Sequence, residues 1–325
     1  MYFCSAYWER RLEPVVVIVG PTCSGKTFLS LKLAETLNTE IISADSRQVF
    51  KLLNIGTAKP SEDELRKIKH YFIDSLEPDM EFNASDFELS AIEVIKKLHL
   101  RKKIPIVTGG SGLYVKALID GIIDIEGTDS SLRLDLMKER ERYGDEFMYN
   151  KLVALDPISA SNMLPQNWKR VIRALEVFLQ TGTKLSEHHS NQKPKNDFSF
   201  IQYGLNWDRA SLYHNIENRV DNMVSNGLVE EVKSILNSGF DVTLNSLNTV
   251  GYKEIISFIN NEISIERAIE LIKRNTRRYA KRQMTWFRKD KRINWIDISS
   301  NSDLSTSVDY ILNDLKVKGF YEREN

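Results

Sequence analysis

The sequence predicts an α/β protein with a parallel β-sheet core flanked by helices and a helical insertion domain. Between about residues 15 and 120, apolar runs of strand length alternate with helical patterns, as they do in parallel sheets covered on both faces. Within 128–182 the chain is charged, helical in period and without strand patterns. We therefore expect a core formed by 1–121 and 200–325, and an insertion domain at 122–199.

The elements of the core are expected to alternate along the chain. The segment "VVVIV" predicts a buried strand, "KTFLSLKLAETL" a helix, "TEIISAD" a second strand and "IPIVTGG" a third. Between the last two strands, "SDFELSAIEVIKKLHL" predicts a helix with Ser85 as its N-cap. Five apolar residues fall on one face of that helix and should pack on the sheet: Phe87, Ala91, Ile92, Ile95 and Leu98.

The segment "HHSNQKPKNDFS" is expected to be the linker that returns from the insertion to the core. It is polar, lacks periodicity and contains Pro194. The segment "FIQYGLNW" then predicts a strand, and Asp208 is the expected N-cap of the following helix. The rest of the chain is mostly helical in pattern and closes with a short strand, "INWIDI".

Composition excludes several classes of protein. With 42% apolar and 28% charged residues among 325, the chain is typical of a globular protein, and its formal net charge of zero does not favour nucleic acid. The two cysteines, Cys4 and Cys23, are too few for a disulfide framework or a cysteine-built zinc site, and the histidines have no ligand spacing. No apolar run reaches the roughly 20 residues needed to span a bilayer, and no signal peptide is recognisable, so we expect a cytoplasmic protein.

A phosphate loop follows the first strand. The segment "GPTCSGKT" fills every fixed position of GxxxxGK[ST] between a strand and a helix, which predicts a P-loop NTPase-like core. Its glycines let successive N–H groups face an anion, and the helix adds the positive end of its dipole. Lys26 supplies a mobile positive charge, and the Thr27 hydroxyl is placed to hold Mg²⁺. The candidate phosphate-binding residues are Gly20, Pro21, Thr22, Cys23, Ser24, Gly25, Lys26 and Thr27.

Asp45 comes just after the second strand, in "ADSRQVF". Because the carboxyl ends of parallel strands meet at one edge of the sheet, Asp45 should lie near the phosphate loop. Its carboxylate could bind magnesium, accept a proton or cap the next helix. Its position in the sequence leaves these three alternatives open.

The third strand ends in "TGGSGLYV", which offers glycines and the hydroxyl of Ser111. A nucleotide hydrolase would be expected to carry a magnesium-linked Asp at the end of such a strand. Asp74 in "YFIDS" is the nearest substitute, and Asp297 in "NWIDI" is a weaker one. Nucleotide hydrolysis is therefore allowed but not favoured.

A basic segment at 273–292 holds ten Lys or Arg and a single acid, Asp290. Arg274, Arg278 and Arg282 follow helical spacing and predict a basic stripe. A basic stripe with interleaved aromatic residues suits the phosphates and stacked bases of a nucleic acid, although a solvated helix face is the alternative. Further basic residues begin the predicted helix "WKRVIRALEVF", whose Val171, Leu175 and Phe178 should face a core.

Seven segments in this order resemble the tRNA dimethylallyltransferase family: "GPTCSGKT", "ADSRQVF", "IGTAKP", "TGGSGLY", "RVIRALEV", "VGYKE" and "TRRYAKRQMTWFR". The resemblance spans about 15–297 and favours the bacterial type, since no cysteine pair indicates the zinc-finger extension of eukaryotic relatives. It implies transfer of a dimethylallyl group from dimethylallyl diphosphate to N6 of adenosine 37, beside the anticodon of tRNA. The implied products are N6-dimethylallyladenosine and diphosphate, without nucleotide hydrolysis.

The same resemblance implies roles for individual residues. The phosphate loop would hold the diphosphate of the donor with Mg²⁺ at Thr27, while Asp45, Ser111 and Arg133 would be catalytic. The anticodon stem-loop would be the bound part of the tRNA, with no membrane partner, and we expect a monomer. The implied tRNA contacts are Asp45, Ser46, Arg47, Gln48, Ser111, Arg133, Lys169, Arg170, Val171, Ile172, Arg173, Asn248, Thr249, Val250, Gly251, Tyr252, Lys253, Thr276, Arg277, Arg278, Lys281, Arg282 and Gln283.

Departures from the family pattern occur at Phe50, where Tyr is common, at Ser111, where many relatives have Thr, and at Lys169, where some have Gln. Two other functions share the phosphate loop. A small-molecule kinase would use ATP as its donor and would leave the basic stripe without a role. A nucleic-acid-binding ATPase would need an acidic residue placed for hydrolysis near the loop.

Overall fold

The computed structural model describes residues 12–123 and 130–321. The chain divides into two compact units, and the first unit extends to Ile119 and resumes at Asn196. The second unit is Asp120–Lys195, close to the insertion predicted at 122–199.

The first unit is built on a parallel sheet. Within the described residues its six strands are β1 Pro14–Val19, β2 Ile41–Ser43, β3 His70–Tyr71, β4 Ile106–Gly109, β5 Ser199–Trp207 and β6 Asn294–Ile298. They are ordered β3-β2-β4-β1-β5-β6, and every neighbouring pair is parallel. The predicted parallel sheet is confirmed. The additional strand β3 has only two residues, too few to leave a recognisable apolar pattern.

Helices account for the remaining regular structure of the described residues. They are α1 Lys26–Thr36, α2 Glu62–Lys67, α3 Ala84–Leu100, α4 Gly112–Asp120, α5 Ser130–Leu155, α6 Pro157–Ser161, α7 Trp168–Thr181, α8 Leu185–Asn191, α9 Arg209–Ser225, α10 Leu228–Asn237, α11 Tyr252–Ile259, α12 Ile265–Phe287 and α13 Asn301–Val317. None of the helices in the described ranges has the length and apolar character needed to cross a bilayer.

The N-caps of two helices were predicted, and one of the two predictions is wrong. Asp208 caps α9 through bonds from the N–H groups of Ala210 and Ser211, as predicted. Helix α3 is capped by Asn83 rather than Ser85, through reciprocal hydrogen bonds between Asn83 and Asp86. Ser85 also has an acid three positions later, so the capping-box pattern alone does not distinguish the two sites.

Buried apolar side chains on the sheet and among the helices stabilise the first unit. The β1 residues from Val15 to Val19 are fully buried, and the five predicted core residues of α3 are buried as well. An apolar cluster also lies among helices α9–α12 and includes Phe50, which is only 3% exposed. A Tyr hydroxyl at position 50 would need a buried hydrogen-bond partner, so Phe suits this apolar site.

The second unit has its own helical core, which includes Val171 and Leu175 as predicted, while Phe178 is half-buried. Its long helix α5 is kinked at Gly144, where φ is 85°. The predicted linker is wrong in its first part, because α8 continues to Asn191 and carries His188 and His189. Only Ser186 of α8 is buried, so the helix leaves no apolar periodicity to read.

Candidate active site

The phosphate loop borders a cavity of about 770 Å³, here called the loop cavity. It lies at the carboxyl edge of the sheet, where β1 has β4 on one side and β5 on the other. The strand order reverses at such a point, which leaves a crevice for ligands. Its lining includes Thr22–Thr27, Asp45–Gln48, Gly56–Pro60, Thr108–Gly110, Arg219, Asn248–Val250, Lys253, Thr276, Tyr279, Arg282 and Gln283.

Close packing determines the path of the phosphate loop. Gly25 has φ of 87°, and a Cβ at this position would lie 2.5 Å from a methyl carbon of Leu304. The Trp207 indole N–H donates to the Ser24 carbonyl oxygen at 2.9 Å, which fixes the loop to the end of β5. Six of the eight predicted phosphate-binding residues line the cavity, whereas Gly20 and Pro21 are buried behind it.

Lys26 releases its proton more readily than an ordinary lysine. Its Nζ donates to the Pro21 carbonyl oxygen at 2.6 Å. Burial, followed by the nearby Arg219 guanidinium, lowers the pKa of Lys26 from 10.5 to about 8. An anion in the loop would favour the protonated form, so anion binding and the charge of Lys26 are coupled.

Arg219 is a second cation beside the phosphate loop. Its Nη1 donates to the Thr22 hydroxyl at 3.1 Å and to the Cys23 sulfur at 3.4 Å. It lies on α9 within "IENRVDNMV", which contains no recognisable motif. The lining holds six basic residues, Lys26, Arg47, Lys59, Arg219, Lys253 and Arg282, against the two acids Asp45 and Glu64. This excess of positive charge suits a diphosphate or a nucleic acid.

Asp45 reaches the loop cavity, as expected from its place after β2. Its Oδ1 accepts from the N–H groups of Arg47 (2.8 Å) and Gln48 (3.3 Å), so this oxygen caps a turn rather than a helix. The other oxygen, Oδ2, has no hydrogen-bond partner among the residues that the structure describes. One carboxylate oxygen therefore holds the turn and the other is available to a ligand.

The residues after Asp45 mainly hold that turn in place. Ser46 N–H donates to the Ser111 hydroxyl oxygen at 2.9 Å, and Arg47 Nη1 donates to the Asn245 carbonyl oxygen at 2.7 Å. Ser111 does not line the cavity itself. It contacts the turn that carries Asp45, which gives its hydroxyl a positioning role.

Helix α12 presents the basic stripe, but its residues differ in exposure. Arg278, Lys281 and Arg282 are exposed, and Arg282 also lines the loop cavity. Arg277 is paired with Glu217 at 2.7 Å and is half-buried. The exposed cations are therefore the ones most available to a polyanion.

Gln283 has an internal role that its predicted contact with tRNA did not anticipate. The side chain is buried, with its oxygen accepting from Thr22 N–H at 2.8 Å and its amide donating to the Gly110 carbonyl at 3.0 Å. A Cβ on Gly110 would lie 2.2 Å from that amide nitrogen, so the glycine makes room for it. Gln283 thus joins α12 to the phosphate loop and to the end of β4.

Three of the residues predicted to contact tRNA have buried side chains in this structure. Val171 and Ile172 are fully buried in the core of the insertion unit, and Tyr252 is fully buried with its hydroxyl bonded to Glu231. Gly251 is also buried and is the N-cap of α11. A helical sequence pattern does not by itself separate the residues facing solvent from those facing a core.

The basic residues of the insertion unit are on its surface. Lys169 and Arg170 are exposed at the start of α7. Arg133 and Arg173 are both paired with the buried carboxylate of Glu176, at 2.9 and 3.5 Å. Within this unit Arg133 has a structural partner, and its catalytic role stays a prediction.

The protein oxygens near the phosphate loop fit magnesium only if phosphate and water supply the remaining ligands. Thr27 is exposed at the start of α1, and its hydroxyl has no protein partner within 12–123 and 130–321. The described residues contain no cluster of three or more His, Cys, Asp or Glu able to hold a metal. Magnesium commonly takes one or two protein oxygens and completes its shell with phosphate and water, which suits Thr27 with Asp45 nearby.

The family model of IPP transferases matches residues 48–290. A protein named tRNA dimethylallyltransferase from Pelotomaculum thermopropionicum is 45% identical over 91% of this chain and 94% of its own. A protein of the same name from Clostridioides difficile is 43% identical over 93% of this chain and 96% of its own.

Two solved structures are also similar. The tRNA isopentenylpyrophosphate transferase of Bacillus halodurans has a TM-score of 0.69 at 36% identity, covering 94% of this chain and 98% of that one. A eukaryotic dimethylallyltransferase described as acting on tRNA has a TM-score of 0.81 at 28% identity, covering 96% and 81%. The relatives and the solved structures each cover more than nine-tenths of this chain. The chain therefore belongs to the IPP transferase family.

Proposed function

We propose that this chain transfers a dimethylallyl group from dimethylallyl diphosphate to N6 of adenosine 37 in tRNA, with release of diphosphate. One observation carries the proposal: a single cavity holds both an anion-binding loop and the free carboxylate oxygen of Asp45. The loop suits the leaving diphosphate and the carboxylate suits the attacking amine. The family has this chemistry, whereas a kinase would leave the exposed cations of α12 without a role.

The donor half of the site stabilises a departing anion. As the bond between the allylic carbon and the oxygen breaks, negative charge grows on the diphosphate and is met by the loop amides, Lys26 and Arg219. These groups are already in place, so little reorganisation is needed during the reaction. Thr27 is the residue that would hold magnesium here, and the ion would supply further charge neutralisation when bound.

The acceptor half must activate a weak nucleophile. The lone pair of the adenine N6 amine is delocalised into the ring, so proton removal has to accompany formation of the new N–C bond. Asp45 Oδ2 is the group available to take that proton, because Oδ1 is held by the turn. The proton therefore passes to Asp45 while the electron pair of the broken C–O bond leaves with the diphosphate.

The tRNA has to present an unstacked base to this cavity. An anticodon loop is single-stranded, so extruding one base from it costs less than extruding a base from a duplex. The exposed cations of α12, together with Lys169 and Arg170 of α7, provide phosphate contacts that position the stem and loop. The anticodon stem-loop is accordingly the proposed binding partner.

Incubation with labelled dimethylallyl diphosphate, unmodified tRNA and magnesium tests the function, with and without ATP. Label should enter tRNA in both conditions, and incorporation only with ATP, or none at all, would refute the proposal. The variant Asp45→Asn should lose transfer and keep tRNA affinity. Asp297→Asn, on the exposed edge of the sheet and outside the loop cavity, is the matched control and should remain active.

A further inference from the structure

The segment Asn54–Pro60, here called the wall segment, contains "IGTAKP" and follows the turn that carries Asp45. Residues Gly56 to Pro60 line the loop cavity. Three of them, Ala58, Lys59 and Pro60, also line a second cavity of about 770 Å³. The wall segment therefore separates two spaces, and its conformation limits the size of the loop cavity.

Glu231 of α10 holds the beginning of the wall segment. Its Oε2 accepts from the N–H groups of Asn54 (3.0 Å) and Ile55 (2.7 Å), and its Oε1 accepts from Gly56 N–H at 3.1 Å. Three consecutive amides thus converge on one carboxylate about 175 residues away in the chain. Hydrogen bonds between amides and an ionised acceptor are about twice as strong as neutral ones.

Tyr252 is a fourth hydrogen-bond donor to the Glu231 carboxylate. Its hydroxyl donates to Glu231 Oε1 at 2.6 Å, and its ring is fully buried. A Cβ on Gly56 would lie 2.4 Å from that ring, so the wall segment packs directly on the tyrosine. Burial, and then the Glu231 carboxylate, raise the pKa of Tyr252, which keeps the phenol protonated and able to donate.

The other half of the wall segment is tied to the turn that carries Asp45. The Gln48 side-chain amide donates to the carbonyl oxygens of Thr57 (3.2 Å) and Ala58 (3.1 Å). The Gln48 backbone N–H donates to Asp45 Oδ1 at 3.3 Å. A shift of the wall segment would therefore reach the proposed proton acceptor through one residue.

We infer that Glu231 is a positioning residue for prenyl transfer, because it fixes the wall segment as the surface against which the alkyl group of the donor rests. This inference rests on the proposed function. Gly56, Ala58 and Pro60 offer small apolar surface, and Val220, Met223 and Ile272 add apolar lining to the same cavity. For a five-carbon allyl group, contact with this apolar surface is more favourable than contact with the basic residues around the phosphate loop.

Steady-state kinetics of Glu231→Gln test this role. Glutamine keeps the size of the side chain but replaces one carboxylate oxygen with an amide that cannot accept from N–H. We expect kcat/KM for dimethylallyl diphosphate to fall by about tenfold or more, the scale of loss from a misplaced reacting group. The tRNA Kd should stay close to wild type, whereas the thermal midpoint should fall because amide hydrogen bonds to Glu231 are lost, so kcat and KM are expressed per folded molecule. The kcat/KM for a longer prenyl diphosphate, such as geranyl diphosphate, should fall less than the kcat/KM for the five-carbon donor.

Two further variants separate positioning from folding. Tyr252→Phe keeps the buried ring and removes one of the four bonds to Glu231, so it should show a smaller change in the same direction. Glu230→Gln, at the exposed neighbouring position on α10, should behave as wild type. A Glu231→Gln protein with normal donor kinetics would overturn the inference. So would one whose only defect is a smaller folded fraction, with kcat and KM per folded molecule unchanged.

Two measurements distinguish failure of the inference from failure of the proposed function. If the wild-type protein does not label tRNA, the proposed function is refuted. Calorimetric binding of dimethylallyl diphosphate then decides the role of Glu231. Weaker donor binding by Glu231→Gln than by Glu230→Gln would support an anchored wall, and equal affinities would overturn it.

Discussion

As the pH rises, the ligand-free wild-type protein should gain stability relative to the variant Lys26→Met. Its pKa is lowered from 10.5 to about 8, chiefly by burial and secondly by Arg219. Unfolding restores the ordinary value, so between these pH values the unfolded state binds more protons than the folded state. The free energy of unfolding therefore increases with pH in this window. At about 1.4 kcal/mol per pKa unit, keeping Lys26 protonated costs the folded state on the order of 3 kcal/mol at neutral pH.

Urea unfolding of both proteins between about pH 7 and pH 10 measures this effect. The free energy of unfolding of wild type minus that of Lys26→Met should rise by about 2 kcal/mol across the range, mostly above pH 8. Groups common to both proteins titrate equally and cancel in the difference. Saturating inorganic diphosphate should remove the rise, because the bound anion keeps Lys26 protonated. A difference that is flat with pH in the ligand-free protein would refute the lowered pKa and the burial that causes it.

Other predictions concern the rest of the site and the insertion unit. Arg219→Ala should raise KM for dimethylallyl diphosphate about tenfold with tRNA affinity unchanged, the scale of one charge-assisted contact, and an unaltered KM would exclude a contact with the donor. The double variant Arg278→Ala with Lys281→Ala should weaken tRNA binding and reduce the slope of log K against log salt by roughly 1 to 2; an unchanged slope in filter binding would rule out phosphate contacts there. Burial alone would raise the pKa of Asp156, but hydrogen bonds from Ser159 and Ser186 outweigh it and lower the pKa to about 2. Asp156→Asn should therefore lower the free energy of unfolding by about 1–3 kcal/mol in urea titrations near neutral pH. That contribution of Asp156 should disappear as the pH falls from about 4 through 2, and a variant as stable as wild type would contradict the role of its hydrogen bonds.

Local patterns were sufficient for much of the fold. Apolar runs alternating with helical periods predicted the parallel sheet, because a strand buried on both faces has to be continuously apolar. Asp208 was recognisable as an N-cap because capping involves only residues within one turn. The prediction failed at Ser85, where two neighbouring candidates had the same capping pattern, and at α8, whose seven residues bury too little surface to show a period.

The site itself divides in the same way. By itself the sequence determined the phosphate loop and the place of Asp45, since both follow from short motifs at the ends of parallel strands. Only the tertiary structure decided which side chains share the cavity: it added Arg219, gave Gln283 an internal role and removed Val171 and Tyr252 from the exposed surface. The physical reason is distance along the chain. Arg219 bonds Thr22 across 197 residues, and no local propensity or period encodes a contact that exists only once helices have packed on the sheet.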